Sequence, residues 1–194
     1  SEVSDTEAVV STIVSDNYDA GVQCAKDMMK KKTSANIIIV NQKALNSINE
    51  RVKGFRDTIK GHPQYKIVEE KESAAEFEIA MKVMEEIIYE KKNYDVVMGG
   101  NDPIALGCIA AMQMTDKTDQ VMVYGVDGSP DGKAMIKAGF LEGTAAQSPI
   151  KIGEKAVQTA YSYLAGETVK KHVTIPVELI TADNLKLYDM TGWQ

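Results

Sequence analysis

The chain has 194 residues, 44% of them hydrophobic and 26% charged, with a net charge of −6. That length allows one substantial domain, or a domain with part of another, and the composition is that of an ordinary globular protein. The acidic balance, with no stripe dense in Lys and Arg, excludes a phosphate-backbone partner, and no apolar run approaches the ~20 residues that span a bilayer. The opening Ser1-Glu2-Val3-Ser4-Asp5 does not read as a signal peptide, as is also true of a mature or trimmed product.

In chain order, apolar β-branched runs begin near Val9, Asn36, Tyr65, Tyr94 and Val121, with helical patterns between them. They recur roughly every 27–29 residues, the length of a strand with its crossover helix. Asp16-Asn17 supplies N-cap oxygens for a helix from Tyr18 to Lys31, and Lys30-Lys31-Lys32 closes it, where cations favour the negative end of the dipole. A helix from Ala75 to Lys91 is predicted to turn Phe77, Ala80, Met81, Met84 and Ile88 to the sheet, its glutamates forming a solvated face. Met28, Met81, Met84 and Met112 fall at helix-core spacing, and Cys24 and Cys108 read as buried free thiols.

Two strand ends share one layout. Tyr94–Met98 runs into Gly99-Gly100-Asn101-Asp102-Pro103, with Asp102 expected to cap the next helix ahead of Pro103. Val121–Val126 runs into Asp127-Gly128-Ser129-Pro130-Asp131-Gly132. Strands this apolar are covered on both faces, so the fold class is α/β, a parallel sheet sandwiched between helices. Asn101 and Asp127 then lie at carboxyl ends of strands, where such sheets keep a small-molecule crevice.

After Val126 a short helix near Ala134–Ala138 and a strand, Gly143–Ala146, lead to a long amphipathic helix carrying Ile152, Ala156, Val157, Ala160, Tyr161 and Leu164. The final extended segment, Val173 to Ile180, is broken by Pro176, which predicts a crossing between sheets or a sheet edge. Catalytic patterns are missing. Neither Gly99-Gly100 nor Gly125 begins G-x-G-x-x-G, there is no P-loop or G-x-S-x-G, and His62 and His172 sit in polar loop contexts without a nucleophile nearby. No catalysis, cofactor or metal is expected.

Five strings carry a resemblance: Ser15-Asp16-Asn17, Glu50-Arg51-Val52-Lys53-Gly54-Phe55, Gly100 to Gly107, Gly125 to Gly132, and Ala145-Ala146-Gln147-Ser148-Pro149. In this order and spacing they resemble ribose-type periplasmic sugar-binding proteins, the substrate-binding components of bacterial ABC transporters. The resemblance implies a two-lobe protein of which this chain is a C-terminal piece, the first lobe largely missing. Residues 1–147 would be the second lobe, 148–178 a helix and strand that normally complete the first, and 179–194 a hinge-crossing tail. The apolar stripe of the 149–165 helix, lacking its usual partner, is expected to fold back or to pack on another copy.

By the same resemblance Arg51, Asn101, Asp127 and Gln147 contact a monosaccharide, a pentose or hexose, and Phe77 is the candidate aromatic. Carboxylate, amide and guanidinium suit sugar hydroxyls, each both donor and acceptor. Read from the residues alone, Arg51 could instead pair with Glu50 at the surface, Asn101 could be a turn residue, Asp127 a helix cap and Phe77 a core residue. The resemblance further implies a membrane permease as partner and a periplasmic or extracellular place, with or without a lipid anchor. The fold is shared by effector domains of LacI-type regulators and by sugar-sensing ectodomains; the tail from Leu187 to Gln194 looks more like that of a transporter component.

Overall fold

The computed structural model describes residues 7–115 and 121–194. The chain runs β1 (Thr12–Ser15), α1 (Asn17–Lys31), β2 (Ala35–Asn41), α2 (Asn46–Ile59), β3 (Tyr65–Glu72), α3 (Phe77–Tyr89), β4 (Val96–Gly99), α4 (Asp102–Gln113) and β5 (Met122–Asp127). It continues with α5 (Pro130–Ala138), β6 (Gly143–Ala146), α6 (Pro149–Leu164), β7 (His172–Ile175), β8 (Glu178–Thr181) and a 3-10 turn at Leu185–Leu187. The main sheet has the order β3-β2-β4-β5-β6-β8.

Its first five strands are parallel and β8 is antiparallel at one edge. The sheet is therefore mostly parallel, as expected, with a single antiparallel strand at its edge. The reason lies at Pro176: β7 pairs with β1 in a separate two-stranded sheet, and β8 pairs with β6, so the chain changes sheets across the proline, which has no N–H to give a ladder. The run near Val9 likewise contributes β1 to the small sheet, not to the main one.

Helices α1 and α2 pack together on one face, and α3, α4 and α5 on the other. Ile37, Ile38, Ile39 and Val40 are fully buried, as covering both faces requires. Strand order reverses at β2, with β3 on one side and β4 on the other, which opens a crevice at the carboxyl ends of β2 and β4. The pairings Val40↔Gly99 and Asp127↔Ala146 bring the strand ends to a common rim.

Several helix details differ from the sequence reading. Helix α3 starts at Phe77 and buries Ala80, Met84 and Ile87, with Met81 and Ile88 partly covered. Phe77 stays 39% exposed, while its carbonyl oxygen lies close to Gly107 of α4. The cap of α4 is Asn101, whose Oδ1 accepts from Ile104 N (3.0 Å); Asp102 is already in the first turn. Helix α6 contacts β1 but buries none of its residues, leaving Val157, Tyr161 and Leu164 exposed. It does not fold back on the main sheet, since it rides on a two-stranded sheet too narrow to cover it. Elsewhere the expectations hold: Asp16 caps α1 through Asp19 N (3.0 Å), and Met28, Met84, Met112, Cys24 and Cys108 are fully buried.

Where α1 crosses α2 the backbones touch. A Cβ on Gly21 would come within 1.8 Å of Arg51 O, and one on Gly54 within 2.0 Å of Tyr18 O. Phe55, next to this crossing, is fully buried. Phe55→Ala is expected to lower the unfolding free energy by about 3–5 kcal/mol, read as a shift in denaturant midpoint at constant slope. A shift worth less than ~1 kcal/mol would contradict this packing.

Candidate functional site

Three loops end at the rim, and one buried carboxylate joins them. Asp102, fully buried, receives Ser129 N (2.9 Å) and Ser129 Oγ (2.7 Å) at Oδ2, and Thr144 Oγ1 (2.6 Å) at Oδ1. Thr144 Oγ1 in turn accepts from Gly128 N (3.0 Å). The turns after β4 and β5 are thereby tied to β6, which fixes where Asn101, Asp127 and Gln147 stand.

Arg51, on the first half of α2, is buried rather than paired with Glu50 at the surface. Its Nε donates to Asn17 Oδ1 (2.9 Å), and its Nη1 to Gly100 O (2.9 Å) and, at 3.5 Å, to Asp127 Oδ1. Nη2 has no hydrogen-bond partner among the described residues. Asp127 Oδ1 also accepts from Gln147 Nε2 (2.7 Å), and Gln147 Oε1 accepts from Ser15 Oγ (2.8 Å). A continuous chain of hydrogen bonds thus runs from β1 through Gln147, Asp127 and Arg51 to Asn17 at the start of α1.

Asn101 stands one residue past the carbonyl that Arg51 grips, and its Nδ2 reaches Ala75 O at 3.4 Å in the turn before α3. Ala75 (φ 58°) and Asp127 (φ 147°) both hold positive φ without being glycine. Backbone in those regions costs on the order of 1–3 kcal/mol and persists where the surroundings over-determine it, often at functional sites. Ser129, not Asp127, caps α5.

Electrostatically the site is one guanidinium facing two carboxylates. Burial lowers the Arg51 pKa below the usual arginine value, while Asp127 and Asp102 oppose the shift. Burial likewise raises Asp102, against the hydrogen bonds from Ser129 and Thr144. Asp127 is pushed up to about 6, first by burial, with Arg51 pulling down and Asp102 pushing further up. Cys24 lies behind the site, its Sγ 3.6 Å from Gly125 O, and burial raises its pKa, so it is an inert thiol. Among the described residues no group of three or more His, Cys, Asp or Glu could hold a metal ion.

The structure therefore bonds Arg51, Asp127 and Gln147 directly and sets Asn101 beside them. Phe77 opens α3 just after the turn that Asn101 contacts, but is neither in the core nor bonded to that set. Sequence reasoning missed Asn17, read only as part of a cap, and Asp102, read as the cap itself. Asp102 had one visible signal, an acid set between glycine-rich turns. A surface groove lined by Ile59, Pro63, Tyr65 and Ile67 is at the opposite end of the sheet, away from these groups.

Comparison with known proteins gives this arrangement a family. The periplasmic binding protein domain matches residues 1–168, and the chain belongs to that family. The ribose import binding protein RbsB of Salmonella typhimurium is 31% identical over 175 residues, which are 89% of this chain and 58% of that protein. The D-apiose import binding protein of Paraburkholderia graminis is 31% identical over 193 residues, 97% of this chain and 62% of that one. An ABC transporter solute-binding protein from Bacillus halodurans, solved with myo-inositol, superposes with a TM-score of 0.89 at 25% identity, covering 96% of this chain and 66% of the other. The chain thus spans about three fifths of the length of the curated relatives it matches.

An acid whose folded pKa lies above its unfolded value takes up protons on folding, so its contribution is favourable at low pH and is lost as pH rises through the folded pKa. For Asp127 the window runs from about 4 in the unfolded chain to about 6 in the folded one. Asp127→Asn is expected to remove a loss of about 2–3 kcal/mol between pH 4 and pH 7, measured by urea unfolding across that range. Equal pH slopes for both proteins would show that Asp127 is not a desolvated carboxylate.

Proposed function

We propose that this chain provides one wall of a monosaccharide-binding cleft in a solute-binding protein that delivers sugar to a membrane permease. The observation that carries the reading is the convergence of a guanidinium, a carboxylate and two amides at the switch-point rim of an α/β sheet. Vicinal hydroxyls would donate to Asp127 and accept from the open Nη2 of Arg51, while Asn101 and Gln147 can do both. The printed functions of the relatives, ribose and D-apiose import, and the myo-inositol in a structural neighbour support a polyhydroxylated ligand. They also favour import over a regulator or a sensor, and binding over catalysis, and agree with a periplasmic or cell-surface place, to which a lipid anchor would be a further step.

The domain reading follows the same line. Residues 7–147, apart from β1, would be the second lobe, and α6 with β7 and β1 part of a first lobe whose remainder is not in this sequence. Support comes from the three-fifths coverage of the relatives, the separate β1–β7 sheet and the uncovered stripe of α6. The segment 179–194 returns to the second lobe through β8. With both lobes present, a sugar touching both walls would favour the closed arrangement that a permease recognises. Phe77, exposed near the rim, would lie at its edge as an aromatic contact.

Calorimetric titration with a panel of pentoses, hexoses and myo-inositol tests the reading. One saturable ligand is expected, bound weakly because this chain supplies one wall only, and Arg51→Ala, Asn101→Ala and Gln147→Ala should each weaken it further by about 1–3 kcal/mol. No binding across the panel, or binding indifferent to all three substitutions, would refute it.

A further inference from the structure

The segment Asp189–Gln194 runs against the two loops that carry Asp127 and Gln147. Lys133 of α5 is fully buried, and its Nζ donates to Asp189 O and to Gly192 O (2.6 Å). The Gln194 amide, oriented by its partners, accepts from Lys133 Nζ at Oε1 (2.7 Å) and donates from Nε2 to Gly128 O (3.2 Å). Ser148 Oγ donates to Gln194 O at 2.8 Å. Gly128 and Ser148 directly follow Asp127 and Gln147 in the chain. One short segment is therefore bonded to the residue after the site's carboxylate and to the residue after its amide.

Two features mark this as more than tail packing. The first is the anchor. An ammonium has three donors and no acceptor, and here it meets two backbone carbonyls and an amide oxygen. Burying a charge is costly unless it is satisfied, and an apolar side chain would hold a passive tail more cheaply. The second is the fit: Gly128 has φ 72°, and a Cβ there would come within 2.7 Å of the Gln194 amide.

We propose that Asp189–Gln194 is a clasp across the β5–α5 and β6–α6 loops, with Lys133 as its positioning residue, and that it sets sugar affinity by holding Asp127 and Gln147 at their bonded spacing. Only the affinity step rests on the sugar-binding reading above. With the clasp released, the loops gain freedom that a ligand must remove on binding, which weakens affinity without removing any contact group.

The test compares the full chain with Lys133→Met and with a chain ending at Tyr188. Hydrogen exchange is followed by mass spectrometry at residues 125–130 and 145–150, and affinities for D-ribose, D-allose and myo-inositol are measured by calorimetry. Trp193, the single tryptophan, is about half exposed and reports release in Lys133→Met by a red-shifted emission. The expected result is exchange at least tenfold faster in both loops, unchanged exchange in β2 and β4, and a Kd at least tenfold weaker. Unchanged loop exchange in both variants overturns the clasp, and faster exchange with an unchanged Kd overturns its effect on affinity. Should Lys133→Met not fold, the shortened chain, which leaves α5 intact, decides. If the unaltered chain binds none of the three sugars, the sugar reading fails by itself and the exchange data still decide the clasp.

Discussion

Removing a carboxylate from water costs several kcal/mol unless its lone pairs are taken up, and Asp102 is fully out of water. It meets that cost by accepting from Ser129 twice and from Thr144 once, groups that belong to the ends of two other strands. The arrangement makes three loops interdependent: any that moves strands a buried acceptor. The site groups sit one residue from this knot (Asn101), two before Ser129 (Asp127) and three after Thr144 (Gln147).

The second constraint is charge in a dry setting. Arg51 reaches the rim from the helix layer because α1 and α2 approach to backbone contact at Gly21 and Gly54. There it is held by Asn17 and Gly100 O, with Asp127 at the long distance of 3.5 Å. That long contact and the raised pKa of Asp127 describe a carboxylate that its protein partners do not fully satisfy. Under the proposed function, the hydroxyls of a polyol would take up that unmet capacity.

Much of this was legible in the residues. Apolar runs at a constant interval gave the βα repeat, and the polar turns after Met98 and Val126 gave the rim, because burial on both faces leaves a clear pattern. Arg51, Asp127 and Gln147 were singled out through ordered strings; Asp127 and Gln147 meet because β5 and β6 run in parallel register, and Arg51 reaches them from α2. The failures were of two kinds. Local rules misplaced the α4 cap, since Asn and Asp cap about equally well and only tertiary demand drew Asp102 inward. Long-range pairing was invisible: nothing in Thr12–Ser15 distinguishes a partner of β7 from a strand of the main sheet, and nothing around Lys133 announces that distant carbonyls will meet it.

The central claim is that the buried Asp102 carboxylate governs a site whose side chains it does not itself bond. The most direct measurement is the sugar affinity of Asp102→Asn, a change that keeps shape but replaces one acceptor oxygen by a donor facing donors. In a folded protein with native helix content, the account requires at least a tenfold weaker Kd. An unchanged Kd would mean that the loops are held by something else, and that the knot described here is packing without consequence for the site.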